Sequence, residues 1–376
     1  MSSIPHRPSP TTRTAPADPS QEPADPPQEP ADLSQDGPHL SQDGPDPSQK
    51  GTNPSQKGPD HREAPAPPPP PTRPGRRGRL VAGFALCAAL LMALHAQIPN
   101  GAGQLGSLFE TFLPWAGLSV PVLLACAAVR RSRLAAVAVI APAVVWGSLF
   151  HGVVADKSSE GGDLIVVTHN VDEANADPEG TARALVRSGA HVLALEELSS
   201  ESAPTYEREL AGTYPYHSVH LGIGLWSKYP LRRAEPVPIM PWTRAVRATV
   251  DTPQGPVAVF AAHLASVRVT PLGFATARRN EAGRNLAEAV RAEKLPRVIV
   301  MGDFNGTNED TALGPLTSQL RSAHSEAGAG FGLTWPASFP LVRIDQILVR
   351  GVSPASSWSL PATGSDHLPV AASLSL

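Results

Sequence analysis

Val298-Ile299-Val300-Met301-Gly302-Asp303-Phe304-Asn305 is an apolar run that stops on a carboxylate and an amide. Consecutive apolar residues read as a strand buried on both faces, so Asp303 and Asn305 stand at its C-terminal tip. Near the end of the chain, Ser365-Asp366-His367 precedes another apolar run, 368–376. Carboxylates, an amide and a histidine brought together at strand ends are the groups that a divalent cation and a phosphate ester require.

The same pattern extends backwards from this stretch. Leu164-Ile165-Val166-Val167-Thr168 reads as a strand ending at His169-Asn170, and 192–195 as a strand ending at Glu196-Glu197. Residues 225–228 form a short strand stopped by Pro230, and 257–262 a strand ending at His263. Residues 344–349 form a strand with Asp345 at its start. Helical patterns occupy 178–188 and 275–293, the second amphipathic and rich in Arg and Glu. Strand ends that open into loops are where ligands bind. Taken singly, each polar residue has a plainer reading. Asn170 would be a turn residue, Glu196-Glu197 a solvated edge, His263 a satisfied core histidine and Asp345 a cap. Their common position at strand ends favours a site.

Three apolar segments precede this domain, at 80–98, 108–129 and 134–154. Each has about the ~20 residues of a spanning helix, and Pro114, Pro121 and Pro142 are tolerated better in such helices than in soluble ones. Arg73, Arg76, Arg77 and Arg79 precede the first segment, and Arg130, Arg131 and Arg133 fill the turn between the second and third. The loop 99–107 carries no charge. Positive loops stay cytoplasmic, which puts the N-terminus inside and the C-terminal domain outside. A cleaved signal peptide is disfavoured, because two more spans follow and no clear small-x-small site is present.

Proline is concentrated in 1–79, where aromatic and β-branched residues are scarce. Such a segment cannot bury enough apolar surface to offset chain entropy and is expected to be disordered. It repeats Ser-Gln-Asp/Lys-Gly at heptad spacing, but no pair of positions is consistently apolar, so it is not a coiled coil. It serves as a spacer, a partner-binding tail or simply a solvated tail. The net charge of −3 gives no bulk attraction to nucleic acid. Cys87 and Cys126 both fall in apolar segments, so the domain 162–376 has neither disulfides nor thiolate metal sites.

Asn170, Leu195-Glu196-Glu197, Ala262-His263-Leu264, Gly302-Asp303-Phe304-Asn305, Ile344-Asp345-Gln346-Ile347-Leu348 and Ser365-Asp366-His367 follow one another in the order and rough spacing of a known family. This set resembles the endonuclease/exonuclease/phosphatase superfamily of DNase I-like nucleases, neutral sphingomyelinases and inositol polyphosphate 5-phosphatases. The resemblance implies an α+β fold, a four-layer α/β/β/α sandwich over 162–376; hydropathy and composition put three transmembrane helices in 80–155 and the disordered tail in 1–79 before it. The resemblance also implies hydrolysis of phosphoester bonds with Mg²⁺, or Mn²⁺ in its place.

By the same resemblance, Asn170, Glu197 and Asp366 serve the metal. Asp303 and Asn305 position the attacking water and the phosphate. Asp345 holds His367, which activates water or steadies the phosphate, and His263 stabilises developing charge. Arg268 and Arg279 are weaker candidates for the substrate phosphate, with a solvated helix face as the alternative. Gln346 departs from the family pattern, in which an aromatic often follows the aspartate. Three spans followed by an outward-facing domain of this kind resemble the actinomycete teicoplanin-resistance membrane proteins of the VanJ type. That layout implies a membrane lipid or lipid-linked pyrophosphate of cell-wall synthesis as substrate, and a link to glycopeptide resistance. The acidic residues of 162–376 slightly outnumber the basic ones, which argues against a nucleic-acid groove. The alternatives are a surface-anchored nuclease, a sphingomyelinase-like phosphodiesterase, and a non-catalytic domain that binds an envelope partner.

Overall fold

A computed structural model describes residues 78–376 apart from residue 272; the Pro-rich tail read over 1–79 lies outside the described residues but for its last two. Two six-stranded sheets form the domain. The first contains β1 (Leu164–Asn170), β2 (Val192–Leu198), β3 (Tyr216–His220), β4 (Gly222–Ser227), β13 (Ser353–Ser359) and β14 (Val370–Ser375), in the order β13-β14-β1-β2-β4-β3. The second contains β5 (Leu231–Pro236), β6 (Ala245–Thr252), β7 (Gly255–Ala262), β10 (Val298–Asp303), β11 (Arg321–Ser322) and β12 (Asp345–Arg350), in the order β11-β12-β10-β7-β6-β5. A hairpin of β8 (Arg268–Thr270) and β9 (Gly273–Ala275) stands apart from both.

Alternation along the strands divides the apolar residues into layers. Val166, Val192, Ala194 and Leu225 of the first sheet meet Val259, Ala261, Met301 and Ile347 of the second in a core between the sheets. The other face of the first sheet, with Val167, Leu193 and Leu195, packs on α6 (Pro178–Arg187) and α7 (Ala203–Leu210). The other face of the second sheet, with Phe260, Val298 and Val300, packs on α8 (Ala277–Ala292) and α9 (Gly314–Thr317). α8 offers Ala282, Leu286 and Val290 to that face, one per helical turn. The order helix, sheet, sheet, helix is the four-layer α+β sandwich expected from the sequence. A short α10 (Ala323–Ala327) lies near β13.

Several strands escaped the sequence reading. β3, β5 and β13 are edge strands with mixed or polar faces, and β6 alternates small apolar with polar residues, so none gives a continuous apolar run.

The apolar segments before the domain form α1 (Arg79–Ala93), α2 (Leu105–Thr111), α3 (Ser119–Val129), α4 (Arg133–Ala138) and α5 (Ile140–Val154). By length and composition, one helix among the described residues, Arg133–Val153, can cross a membrane. The segment expected as a span over 108–129 is apolar and long enough only as a bent pair, Leu105–Thr111 and Leu113–Val129, with 69° between them, the form of a broken span or a re-entrant loop. Pro114 lacks the N–H that would continue the helix, and the chain takes up a 3₁₀ turn there. α1 has 15 residues, about 22 Å of helix, short of the ~30 Å hydrocarbon core.

One side of α2 packs on the domain. Its Ser107 and Glu110 are fully buried against the domain. Ser107 Oγ donates to Asp310 Oδ1 (3.1 Å), and the N–H of Thr311 donates to Glu110 Oε2 (2.9 Å). Trp115 Nε1 donates to the carbonyl of Leu341 (2.7 Å), and Phe331 packs against Trp146 and Phe150, which also touch each other.

Candidate active site

β1, β2, β7 and β10 all run toward one end of the sandwich, and β4, β6, β12 and β14 start there. Asn170, His263 and Asp303 arrive on the ends of the first group, and Asp345 on the start of the second. Gly302 makes the convergence possible. Its φ of 146° is open to glycine, and a Cβ there would overlap the Ala262 carbonyl of the neighbouring strand.

Asp303 is the centre of the cluster. Asn170 Nδ2 donates to its Oδ2 (3.1 Å), Asn305 Nδ2 donates to the same oxygen (3.1 Å), and the Asn305 N–H donates to Oδ1 (2.8 Å). Asn305 takes a left-handed backbone (φ 46°) to fold back onto the aspartate. Burial and the nearby Asp345 push the Asp303 carboxyl up to about 7, against the opposing pull of His367. His367 Nδ1 donates to Asp345 at 2.9 Å, leaving Nε2 3.9 Å from Asp303 Oδ2. Burial alone would lower the imidazole, but Asp345, Asp303 and Asp366 outweigh it and raise it to about 10. His367 is therefore a cation held in place by one carboxylate and aimed past another. Ser365 ties this loop to β1: its hydroxyl donates to the Asn170 carbonyl (2.7 Å) and accepts from the His367 N–H (3.0 Å).

His263 is the opposite case. Burial, then Arg244 and His367, keep it well below the ordinary histidine value, so it is neutral. Arg244 Nη1 donates to its Nδ1 at 2.6 Å. The ring proton then sits on Nε2, which faces Glu197 Oε1 at 3.5 Å and Asp303 Oδ2 at 3.6 Å.

Glu197 reaches the site through a β-bulge. On β2, Val192 and Ala194 point between the sheets, while Leu193 and Leu195 point outward. Alternation puts Glu196 between the sheets and would put Glu197 outside. The register against β4 slips between Glu196 and Leu198, Leu198 takes the outer slot, and Glu197 becomes the extra residue with φ 58°. Glu196 is fully buried, with Oε1 accepting from Thr168 Oγ1 (3.0 Å) and Oε2 without a protein partner. Burial, with Asp345 and Asp303 nearby, drives its carboxyl well above the ordinary value, so it is kept neutral.

Asp366 is half exposed, accepts from Trp335 Nε1 (2.9 Å) and stands 3.8 Å from His367 Nε2. Arg268 lies on the exposed β8. Arg279 is not brought to the site, nor is it on a solvated face. It is buried in an ion pair with Asp310 at 2.6 Å, behind the loop that follows Asn305. The sequence reading missed two residues here. Arg244 lies just before β6, itself unrecognised, and only that strand's register against β7 places it beside His263. Glu196 was passed over because the resemblance selects Glu197 from the pair, and alternation alone would have pointed Glu196 between the sheets.

Residues 167–367 match the Endonuclease/Exonuclease/phosphatase family, a stretch that spans more than half of the 376-residue chain. The chain belongs to this family. No curated protein matches it in sequence. Among solved structures, a humanized TDP2 of D. rerio is 18% identical, covered over 99% of its length by 57% of this chain, with a TM-score of 0.49. A mannosyl-6-phosphatase of Bacteroides thetaiotaomicron is 17% identical, with coverages of 100% and 57% and a TM-score of 0.46. The sphingomyelinase C of Streptomyces griseocarneus is 19% identical, with coverages of 98% and 56% and a TM-score of 0.43.

Endonuclease/exonuclease/phosphatase enzymes hydrolyse phosphoester bonds and are typically dependent on a divalent metal, and this chain is a hydrolase of that kind. Its donors fit such a metal. Among the described residues no three acidic, histidine or cysteine side chains form a closed chelate. The residues that the resemblance assigns to the metal, Asn170, Glu197 and Asp366, are all oxygen donors, with Asn170 bonded to the buried Asp303 and its Oδ1 also accepting from the Asp172 N–H (3.0 Å). That is an oxygen-only, acid-rich set suited to a hard cation that keeps several waters. Burial first, and then the neighbouring Asp345, hold the Asp303 carboxyl up at about 7, and a cation beside the pair would relieve the second of these.

Proposed function

We propose that the protein is a membrane-anchored, outward-facing phosphoesterase that releases phosphate from a lipid-linked pyrophosphate of the envelope, a polyprenyl pyrophosphate above all. The observation that carries this reading is where the apolar segments attach. α2 and the turn after it are bonded to Asp310, Thr311 and Leu341, in loops at the same end of the sandwich as Asp303 and His367. A helix able to span a membrane, Arg133–Val153, leads directly into the domain. The substrate it favours is one that the bilayer delivers to the site. Envelope synthesis is then the cellular setting, with glycopeptide resistance as its readout.

Asn170, Glu197 and Asp366 would hold Mg²⁺, which when bound draws charge from the phosphate oxygens. Asp303, fixed by Asn170 and Asn305, accepts the proton of the attacking water; a carboxyl near 7 suits a base working near neutral pH. The water oxygen bonds to the terminal phosphorus, the bridging P–O bond breaks, and the departing prenyl phosphate keeps the bonding pair. The His367 cation and the His263 Nε2–H donate to the oxygens that gain charge. Arg244 fixes the His263 tautomer.

The test is purified full-length protein in detergent, with a long-chain prenyl pyrophosphate or supercoiled plasmid, with and without chelator. Phosphate release from the lipid, abolished by chelator, with little plasmid nicking is expected. Efficient plasmid nicking that weakens steeply with salt, and no release from the lipid, would overturn the reading in favour of a surface nuclease.

A further inference from the structure

The domain's exposed large apolar side chains are not scattered. Among its described residues they are Tyr216, Leu221, Trp242, Val269, Trp335 and Phe339. All but Tyr216 lie in loops at the active-site end. Leu221 is in the β3–β4 turn, next to Gly222, which pairs with Leu198 just past Glu197. Trp242 is in the β5–β6 loop, whose far end pairs Ala245 with Ala262, the neighbour of His263. Val269 is in the hairpin that follows His263, and Trp335 and Phe339 are in the loop that leads to Asp345. Leu221 is 70% exposed, Trp242 49%, Val269 79% and Phe339 69%. Single exposed apolar residues are ordinary on a protein surface, but their segregation to one rim is not.

This rim is continuous with the apolar helices. Gly273, at the start of β9, packs on the backbone of Gly103, just before α2. Trp115 bonds the carbonyl of Leu341, two residues beyond Phe339. Phe331, in the same loop as Trp335 and Phe339, packs on Trp146 and Phe150 of α5. The helices in turn expose Leu80, Phe84, Leu90, Val122, Val137 and Val144.

We propose that the active-site end of the domain rests on the bilayer surface, with Leu221, Trp242, Val269 and Phe339 entering the headgroup layer. The site then takes a phosphate that projects from the membrane while the substrate's chain stays in the bilayer. The inference rests on the lipid-substrate reading for its chemistry but not for its geometry. Tryptophan and bulky aliphatic residues on loops beside a membrane anchor are what an interface accepts. The polar floor formed by Asp303, His367 and Asn170 is set back from this rim and buried, so the reacting group must enter the site while the rim remains in the interface.

The experiment uses the full chain reconstituted in phosphatidylethanolamine–phosphatidylglycerol vesicles. The combined variant Leu221→Ser, Trp242→Ser, Val269→Ser and Phe339→Ser is compared with wild type on two substrates. Hydrolysis of a water-soluble aryl phosphate should change by less than about twofold, since none of the four side chains is in the catalytic cluster, and this also reports correct folding. Hydrolysis of long-chain prenyl pyrophosphate in the vesicles should fall by about tenfold or more. A readout independent of activity is quenching of tryptophan emission by brominated acyl chains, compared between wild type and Trp242→Phe. A quenched component that disappears in Trp242→Phe supports the seat. No quenching at Trp242, with unchanged turnover of the vesicle substrate in the combined variant, overturns it. If wild type is inactive on the prenyl pyrophosphate, the substrate reading fails, and the quenching result alone decides the seat.

Discussion

Asp303 must carry a negative charge where burial and Asp345 both oppose it. An unfolded chain releases this proton near 3.8, the ordinary aspartate value, whereas the folded site holds it to about 7. The group's contribution to stability is therefore full below 3.8 and is lost as pH rises through 7. In chelator, the unfolding midpoint of wild type should fall across that window, and Asp303→Asn should flatten the fall, because its amide does not titrate. The same substitution should lower phosphoester turnover by about 10² or more at neutral pH, as loss of a positioned base does. Calorimetry against pH, with a phosphate-release assay, measures both. Wild-type turnover in Asp303→Asn would remove the residue from the mechanism. This residue was legible in the sequence because a carboxylate that ends an apolar run has few bland explanations. Glu197 was named through the family resemblance alone, since alternation points Glu196 into the core and only the bulge turns Glu197 to the site.

At the scale of elements, the loop after Asn305 is held from two sides. Arg279 of α8 pairs with Asp310 from within, and Ser107 of α2 donates to the same carboxylate. Removing one member of a buried pair leaves an uncompensated charge, which costs about 3–5 kcal/mol. Arg279→Met should destabilise the protein by that order, and Arg279→Met with Asp310→Leu should recover much of it. Thermal unfolding of the three proteins in one detergent tests this, and equal midpoints for the single and double variants would show that the pair is not what holds the loop. The amphipathic pattern of α8 was visible in the sequence, but the use of Arg279 was not. Arginine on a helix reads as a solvated face unless a distant acid is known to meet it. The bend at 112–114 was hidden for a similar reason: Pro114 is compatible with a span, and only the burial of Ser107 and Glu110 shows that α2 packs on the domain.

At the scale of the whole molecule, orientation depends less on the number of spans than on the last one. α1 is short and the pair from Leu105 to Val129 is bent, so three straight crossings cannot be assumed. Arg130, Arg131 and Arg133, however, stand directly before Arg133–Val153, and Asp156 follows it. On the proposed reading, retention of that basic cluster in the cytoplasm would put the domain outside whatever precedes it. The test replaces Cys87 and Cys126, which lie exposed on the apolar helices, with alanine, and places a new thiol at the exposed Glu201. Glu201→Cys should react with a membrane-impermeant maleimide in intact cells, to the same extent as in lysed cells. A second thiol at Arg131 should react only after lysis. If the Glu201 thiol is reached only in lysed cells, the domain is cytoplasmic. The envelope substrate then fails with it, although the phosphoesterase chemistry at Asp303 and His367 stands, because that rests on the fold and not on the side of the membrane.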